Sequence, residues 1–356
     1  MLNMNVTHKT LGTGIVTEKN GKYITVKFTE KSAVFVYPDA FGEHIRAVDP
    51  VLQANILNEL ALLRSADEER QKQEKMLKKA EEDRIRTEKM NVLLDELNAL
   101  VGLEQVKNDV RSLLNFIRIC QLRTERGMKV PTISYHLVFT GNPGTGKTTV
   151  ARIVAELYHL MGILPTGQLV EIDRSGLVAG YLGQTAIKTQ KVIQEALGGV
   201  LFIDEAYSLA NDRNDSYGKE AIETILKAME DHRDELVVIV AGYDGLMHRF
   251  IDSNPGLRSR FSKYFHFPDY TSDELLRIFE KFCENNGYVP DTNAAEILKE
   301  KLDGMLENRD EHFGNARAVR NLFEAAIGYQ ADRLAGEEEI TDRALTELTA
   351  ADIRHC

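Results

Sequence analysis

The chain has 356 residues, 43% of them apolar and 28% charged, enough for two or three domains with a sizeable core and unlike a disordered, collagen-like or disulfide-scaffold chain. Its 44 basic and 55 acidic side chains leave a formal net charge of -11, which argues against a chain-wide phosphate-binding surface while leaving room for a local basic groove. Cys120, Cys283 and Cys356 lack the paired spacing of zinc or redox sites, no apolar run approaches the ~18 residues that span a bilayer, and the first residues carry no leader pattern, so the expectation is a cytoplasmic protein.

Residues 1–48 alternate apolar and polar side chains in short stretches such as Tyr23-Ile24-Thr25-Val26-Lys27-Phe28, punctuated by Gly12, Gly14, Gly21 and Gly42. That pattern predicts short strands closing a small SH3-like β-barrel. Leu11-Gly12-Thr13-Gly14-Ile15-Val16 and Tyr37-Pro38-Asp39-Ala40-Phe41 resemble tudor-like modules. Residues 49–92 form a predicted charged helical linker: Asp67 to Lys89 holds 8 acidic and 8 basic side chains, with Glu68/Lys72, Glu74/Lys78 and Glu82/Arg86 at i,i+4. Ile56, Leu60 and Leu63 begin a heptad-like seam that Asp67, Glu74 and Glu81 interrupt, which favours a solvated spacer while leaving an oligomerising coiled coil open.

Beyond residue 93, buried strands alternate with helices: 135–140, 169–173, 200–204, 236–241 and 263–267. This predicts an α/β fold with a mostly parallel sheet over 93–268. Thr271-Ser272-Asp273-Glu274 reads as a capping box that opens a helical lid over 269–340, with 341–356 as a tail.

Gly141-Asn142-Pro143-Gly144-Thr145-Gly146-Lys147-Thr148 matches the phosphate-loop pattern between an apolar strand and an amphipathic helix. Its glycines allow backbone amides to surround a polyphosphate, the following helix turns its positive end towards it, Lys147 reaches the terminal phosphates, and Thr148 offers a hydroxyl to Mg²⁺. Val200 to Ile203 form a buried strand that ends in Asp204 and Glu205. Asp204 suits the second Mg²⁺ contact, and Glu205 suits a general base for water. A carboxylate there favours hydrolysis over transfer to another acceptor.

These two motifs, with the lid, resemble an AAA+ P-loop NTPase over residues 95–335. More narrowly the chain is similar to the CbxX/CfqX family, nearest its sporulation branch. The resemblance rests on residues 142–149, Leu201-Phe202-Ile203-Asp204-Glu205-Ala206-Tyr207-Ser208-Leu209, Val237-Val238-Ile239-Val240-Ala241-Gly242-Tyr243 and Gly314-Asn315-Ala316-Arg317. It implies ATP and Mg²⁺ as cofactors, with Asn142, Pro143, Gly144, Thr145, Gly146, Lys147, Thr148 and Thr149 around the nucleotide and Gly102 and Leu103 against adenine. It also implies a homo-oligomeric ring, usually of six subunits, completed by an arginine from a neighbour. Arg260 is the first candidate for that arginine and Arg258 the second, with surface ion pairing as the alternative for each. Arg317 matches an in-cis lid arginine. Tyr243 stands where many relatives place a water-orienting Asn or Thr, which leaves its role open. Tyr181 and Leu182, in a glycine-flanked loop, match a central-pore loop that grips a polypeptide; a plain turn is the alternative.

The function expected on this reading is ATP-driven remodelling or threading of a protein client, with a partner docked on residues 1–48. Two other readings stay open. One is a nucleic-acid-associated ATPase or loader, disfavoured by the 6 basic and 5 acidic side chains of residues 1–50. The other is a nucleotide-gated scaffold with little turnover.

Overall fold

The structure is a computed structural model that describes residues 1–131, 133–181, 183–210, 215–310, 313–337 and 339–356. It divides into two compact units, Met1–Thr87 and Glu88–Cys356.

The first unit carries β1 (Asn5–His8), β2 (Gly12–Asn20), β3 (Tyr23–Phe28), β4 (Ser32–Val36), a short helix α1 (Ala40–Glu43), β5 (Ile45–Ala47) and the start of α2 (Pro50–Ala99). The strands pair antiparallel in the order β4-β3-β2-β1-β5. Alternation places Val16, Ile24, Val26 and Phe28 inside and Tyr23 and Lys27 outside. What the structure shows of the expected barrel is this antiparallel sheet, to which β1 and β5 add strands that the sequence pattern had not marked. The first turns of α2 belong to the same core. Ile56 and Leu60 are buried, and Gln53 accepts from the Ala47 amide at 2.7 Å and donates to the Phe41 carbonyl at 3.2 Å. On the exposed stretch of α2 the ion pairs run at i,i+3, Glu81 with Arg84 at 2.7 Å and Asp83 with Arg86 at 3.8 Å.

The second unit begins with the last turns of α2, where Leu93 and Leu97 enter a hydrophobic core. It continues with α3 (Glu104–Glu125), β6 (Leu137–Gly141), α4 (Lys147–Leu160), β7 (Leu169–Ile172), α5 (Arg174–Leu177), α6 (Gln184–Ala196) and β8 (Val200–Ile203). A 3-10 turn (Ala206–Ala210) leads to α7 (Ser216–Asp231), β9 (Val237–Gly242), α8 (Asp244–Asp252), α9 (Pro255–Arg260) and β10 (Lys263–Phe267). The five strands are parallel, in the order β10-β6-β9-β8-β7, so β6, next to the edge, delivers its carboxyl end between neighbours that arrive from later in the chain. Open parallel sheets bind ligands at such a switch point. Strands β6, β8 and β9 are buried throughout because helices cover both faces.

The lid holds α10 (Ser272–Asn286), β11 (Val289–Pro290), α11 (Thr292–Glu307), α12 (Ala316–Leu334), α13 (Asp342–Thr346), β12 (Glu347–Leu348) and α14 (Ala350–Arg354). Thr271 and Glu274 make the capping box in both directions. The segment expected as a tail is not free: β12 pairs with β11, Leu348 and Ile353 are fully buried, and Asp352 takes the Arg333 guanidinium at 2.9 and 3.0 Å. Its apolar positions were too few in sequence to be read as core; lid helices that arrive earlier in the chain complete their burial.

Candidate nucleotide site

The phosphate loop leaves the end of β6 and re-enters helix at Lys147, so backbone amides and the amino end of α4 face the same space. Lys147 Nζ donates to the carbonyls of Gly141 at 2.8 Å and Asn142 at 2.7 Å. Burial pushes its ammonium down to about 8. Asp204 and Glu205 pull back and Arg317 adds to the push. A cation held short of full hydration beside carbonyls is well placed for a stronger anionic partner. Thr148 donates from Oγ1 to Glu171 Oε1 at 3.2 Å, and Arg152 stands 3.6 Å from the other Glu171 oxygen.

Strand β8 places Asp204 and Glu205 at the pocket edge. The Asp204 amide donates to the Ile172 carbonyl at 2.8 Å and its carboxylate accepts from the Glu205 amide at 3.0 Å. Glu205 has φ +47°, a left-handed backbone that turns the chain sharply as the strand ends. Tyr207 and Tyr243 stand beside it with ring centroids 5.8 Å apart. Burial raises the Tyr207 phenol to about 12, with Glu205 next in effect, and the same two causes raise Tyr243.

The lid closes the other side. The Ala316 amide, at the start of α12, donates to the Gly144 carbonyl at 3.2 Å. Asn315, fully buried, accepts from the Tyr270 amide at 2.9 Å and donates to Asp269 at 2.8 Å, Phe313 O at 3.0 Å and Pro143 O at 3.4 Å. Asp269 also takes the Asn142 amide at 2.9 and 3.1 Å.

The result is a pocket of about 370 Å³ lined by Pro143, Gly144, Gly146, Lys147, Thr148, Thr149, Asp204, Glu205, Tyr243 and Arg317 among the expected residues. Four others stand beside it. Asn142 is turned to Asp269, and Thr145, fully buried, closes the loop by donating to the Asn142 carbonyl at 2.8 Å. Leu103 is buried against the loop, where a Cβ on Gly146 would come within 3.4 Å of it, and Gly102 faces the Glu274 carboxylate. Arg258, Arg260 and Tyr181 lie elsewhere. Arg258 pairs with Asp252 at 2.6 Å, Arg260 with Glu230 at 3.0 Å, and Tyr181 is 73% exposed. Leu182 lies outside the described residues.

Sequence reasoning missed Arg320, which lines the pocket one turn beyond Arg317 on α12 with its guanidinium 5.5 Å from the Phe282 ring. The i,i+3 spacing from Arg317 was the available signal. It also missed Asp269 and Glu171, whose partners are distant in sequence.

Comparison with known proteins agrees with this geometry. The profile of the ATPase family associated with various cellular activities (AAA) matches residues 137–269, and that of the AAA lid domain matches 271–356. Stage V sporulation protein K of Bacillus subtilis is 41% identical over 259 residues, 72% of this chain and 80% of that protein. CbbX of Cereibacter sphaeroides is 43% identical over 266 residues, 74% of this chain and 85% of that one. The chain belongs to the CbxX/CfxQ (CfqX) family of AAA ATPases. A chloroplastic ribulose bisphosphate carboxylase/oxygenase activase of Cyanidioschyzon merolae is 41% identical over 265 residues, 73% of this chain and 90% of that protein. The FIGL-1 AAA domain crystallised with ADP superposes with a TM-score of 0.51 at 21% identity, covering 72% of this chain and 81% of that one, a likeness of fold. Among the described residues of this family member, no helix is long and apolar enough to cross a membrane.

Proposed function

We propose that the protein hydrolyses ATP with Mg²⁺ and uses the energy, as an oligomeric ring, to remodel or thread a protein client. The observation that carries this reading is the convergence of Lys147, Thr148, Asp204, Glu205 and Arg317 on one pocket, with the lid hydrogen-bonded to the phosphate loop. The donor set suits a hard divalent cation bound through phosphate oxygens and water, because the Thr148 hydroxyl and the Asp204 carboxylate both line the pocket. When bound, Mg²⁺ would neutralise charge on the phosphate oxygens.

Lys147 exchanges its carbonyl partners for phosphate oxygens, and Arg317 brings a second positive charge from the lid. Glu205, exposed at the pocket rim, takes a proton from the attacking water. Arg260 completes a neighbour's site, in keeping with its position outside its own pocket; Arg258 is the second candidate for that role. Tyr181, solvent-exposed on its loop, grips the client with Leu182. One relative, the ribulose bisphosphate carboxylase/oxygenase activase, is named for action on another protein, which supports a protein client. The first unit, SH3-like in this reading, docks a partner through the exposed Tyr23, Val34 and Val36 of its sheet.

The test is Glu205→Gln. Turnover should fall about 10²- to 10⁴-fold, the usual worth of a positioned base, with ATP still bound. Turnover at the unmodified rate would remove the proposed chemistry, and loss of nucleotide binding would assign Glu205 a different role.

A further inference from the structure

The loop that carries Tyr181 is anchored at both stems. Lys188, on α6, donates to the Ser175 carbonyl at 2.6 Å and the Val178 carbonyl at 3.0 Å; Thr189 donates to Leu177 O at 3.1 Å; and Thr185 accepts from the Ala179 amide at 3.1 Å. Together α5, the stems of the loop and α6 therefore form one packed piece. Apolar side chains of α5 and α6 share one core with β8, the 3-10 turn and α7, and one polar link crosses beside that packing. Arg174, the first residue of α5, donates to the Ser208 carbonyl at 2.9 Å and pairs with Asp215 at 2.6 Å.

One partner follows directly from Glu205, and the other opens α7. The Ser208 amide donates to the Glu205 carbonyl at 2.8 Å, so Ser208 lies in the turn that Glu205 starts. Asp215 caps α7, accepting from the amides of Tyr217 and Gly218 at 3.1 and 3.0 Å, and is only 12% exposed. Burial alone would raise its carboxyl, yet Arg174 and the capping amides hold it below the usual range. Two features mark the turn as tense. Glu205 sits at φ +47°, and the Ser208 hydroxyl is buried with no hydrogen-bond partner among the described residues. Strain and an orphaned donor at one joint favour a second arrangement that relieves them.

We propose that Arg174 is the positioning residue that relays nucleotide state from the turn after Glu205 to the Tyr181 loop. Because one guanidinium holds both the turn and the cap of α7, a shift at Glu205 moves the α5–α6 piece as a body. The proposal rests on the reading of Tyr181 as the client-gripping residue.

The chain has no tryptophan, so Tyr181→Trp gives the full-length protein a single reporter on that loop. Its emission would be compared with ADP and with a slowly hydrolysed ATP analogue, both with Mg²⁺. The expected result is a nucleotide-dependent emission difference that Arg174→Ala abolishes while affinity for a fluorescent ATP analogue is unchanged. Arg174→Lys, which reaches one partner but lacks the fork, should restore part of it. An Arg174→Ala protein that binds nucleotide and keeps the full difference overturns the relay. If Arg174→Ala fails to fold, Asp215→Asn and Arg174→Lys decide: undiminished responses in both overturn it, and reduced responses support it. A reporter that ignores nucleotide in the otherwise unaltered protein overturns the reading of the loop itself, and the relay with it.

Discussion

Gly144 is one of the points where the phosphate loop meets the lid. With φ +72°, a Cβ there would lie 2.2 Å from the Gly314 carbonyl and 2.8 Å from the Arg317 amide. Gly144→Ala should therefore lower the melting temperature even without nucleotide and weaken ATP binding. Gly162→Ala is the matched control: φ is +70° with nothing within 4 Å of the added carbon, so it carries only the backbone term of about 1 kcal/mol. Equal melting temperatures for the two variants would show that the lid does not rest on Gly144. A second residue reports through pH. His136 is 7% exposed, and its Nδ1 accepts from the Val238 amide at 3.0 Å. Burial, with Arg260 next in effect, lowers its pKa from 6.5 to about 4. The unfolded chain therefore binds the proton first as pH falls. The stabilising contribution of the neutral ring is full above 6.5 and is lost between 6.5 and about 4, a loss on the order of 3 kcal/mol. Urea titrations at pH 7 and 5 should show a smaller drop in stability for His136→Gln than for the unmodified protein; equal drops would refute the assignment.

At the scale of elements, α12 meets the parallel sheet through Asn315. Its φ of +46° is one that L-residues rarely adopt, and its amide joins Pro143, Asp269 and Tyr270. Asn315→Asp keeps the shape and the acceptor for Tyr270 but sets a carboxylate 2.8 Å from that of Asp269. The expected loss is about 3 kcal/mol or more, from unpaired buried donors and acceptors plus like-charge repulsion. Asp269→Asn in the same background should recover part of that loss, and a double-mutant cycle with no coupling would break the link. This junction also shows where sequence reading stops. The phosphate loop, the strand ending at Asp204 and the Thr271 capping box were legible because each is a run of neighbours with its own local chemistry. Asn142 and Asp269 are 127 positions apart, and Asn315 and Asp269 are 46 apart. Nothing in either residue's surroundings names the other. The last residues, which looked like a tail, become core only when Leu348 and Ile353 meet helices from earlier in the lid. In the first unit, β1 and β5 are only 4 and 3 residues long, too short for alternation to stand out.

For the whole molecule, the decisive question is whether one copy finishes another's site. Arg260 is absent from the lining of its own nucleotide pocket and rests on Glu230, which also holds Arg233 at 2.9 Å. If Arg260 acts in its own subunit, Glu205→Gln and Arg260→Ala each disable the chain that bears them, and mixing the two inactive proteins leaves them inactive. If it acts across an interface, a mixed ring contains junctions where an Arg260→Ala subunit supplies an intact Glu205 and a Glu205→Gln neighbour supplies an intact Arg260. In a random equal mixture such junctions make up about a quarter of the total, since each of the two positions is filled correctly half the time. The mixture should therefore recover ATPase activity that neither parent shows, rising as subunits exchange and greatest near equal proportions. Activity that stays at the sum of the two parents, under conditions where light scattering shows mixed oligomers, would place Arg260 outside the neighbour's site and confine it to its own subunit, where it pairs with Glu230.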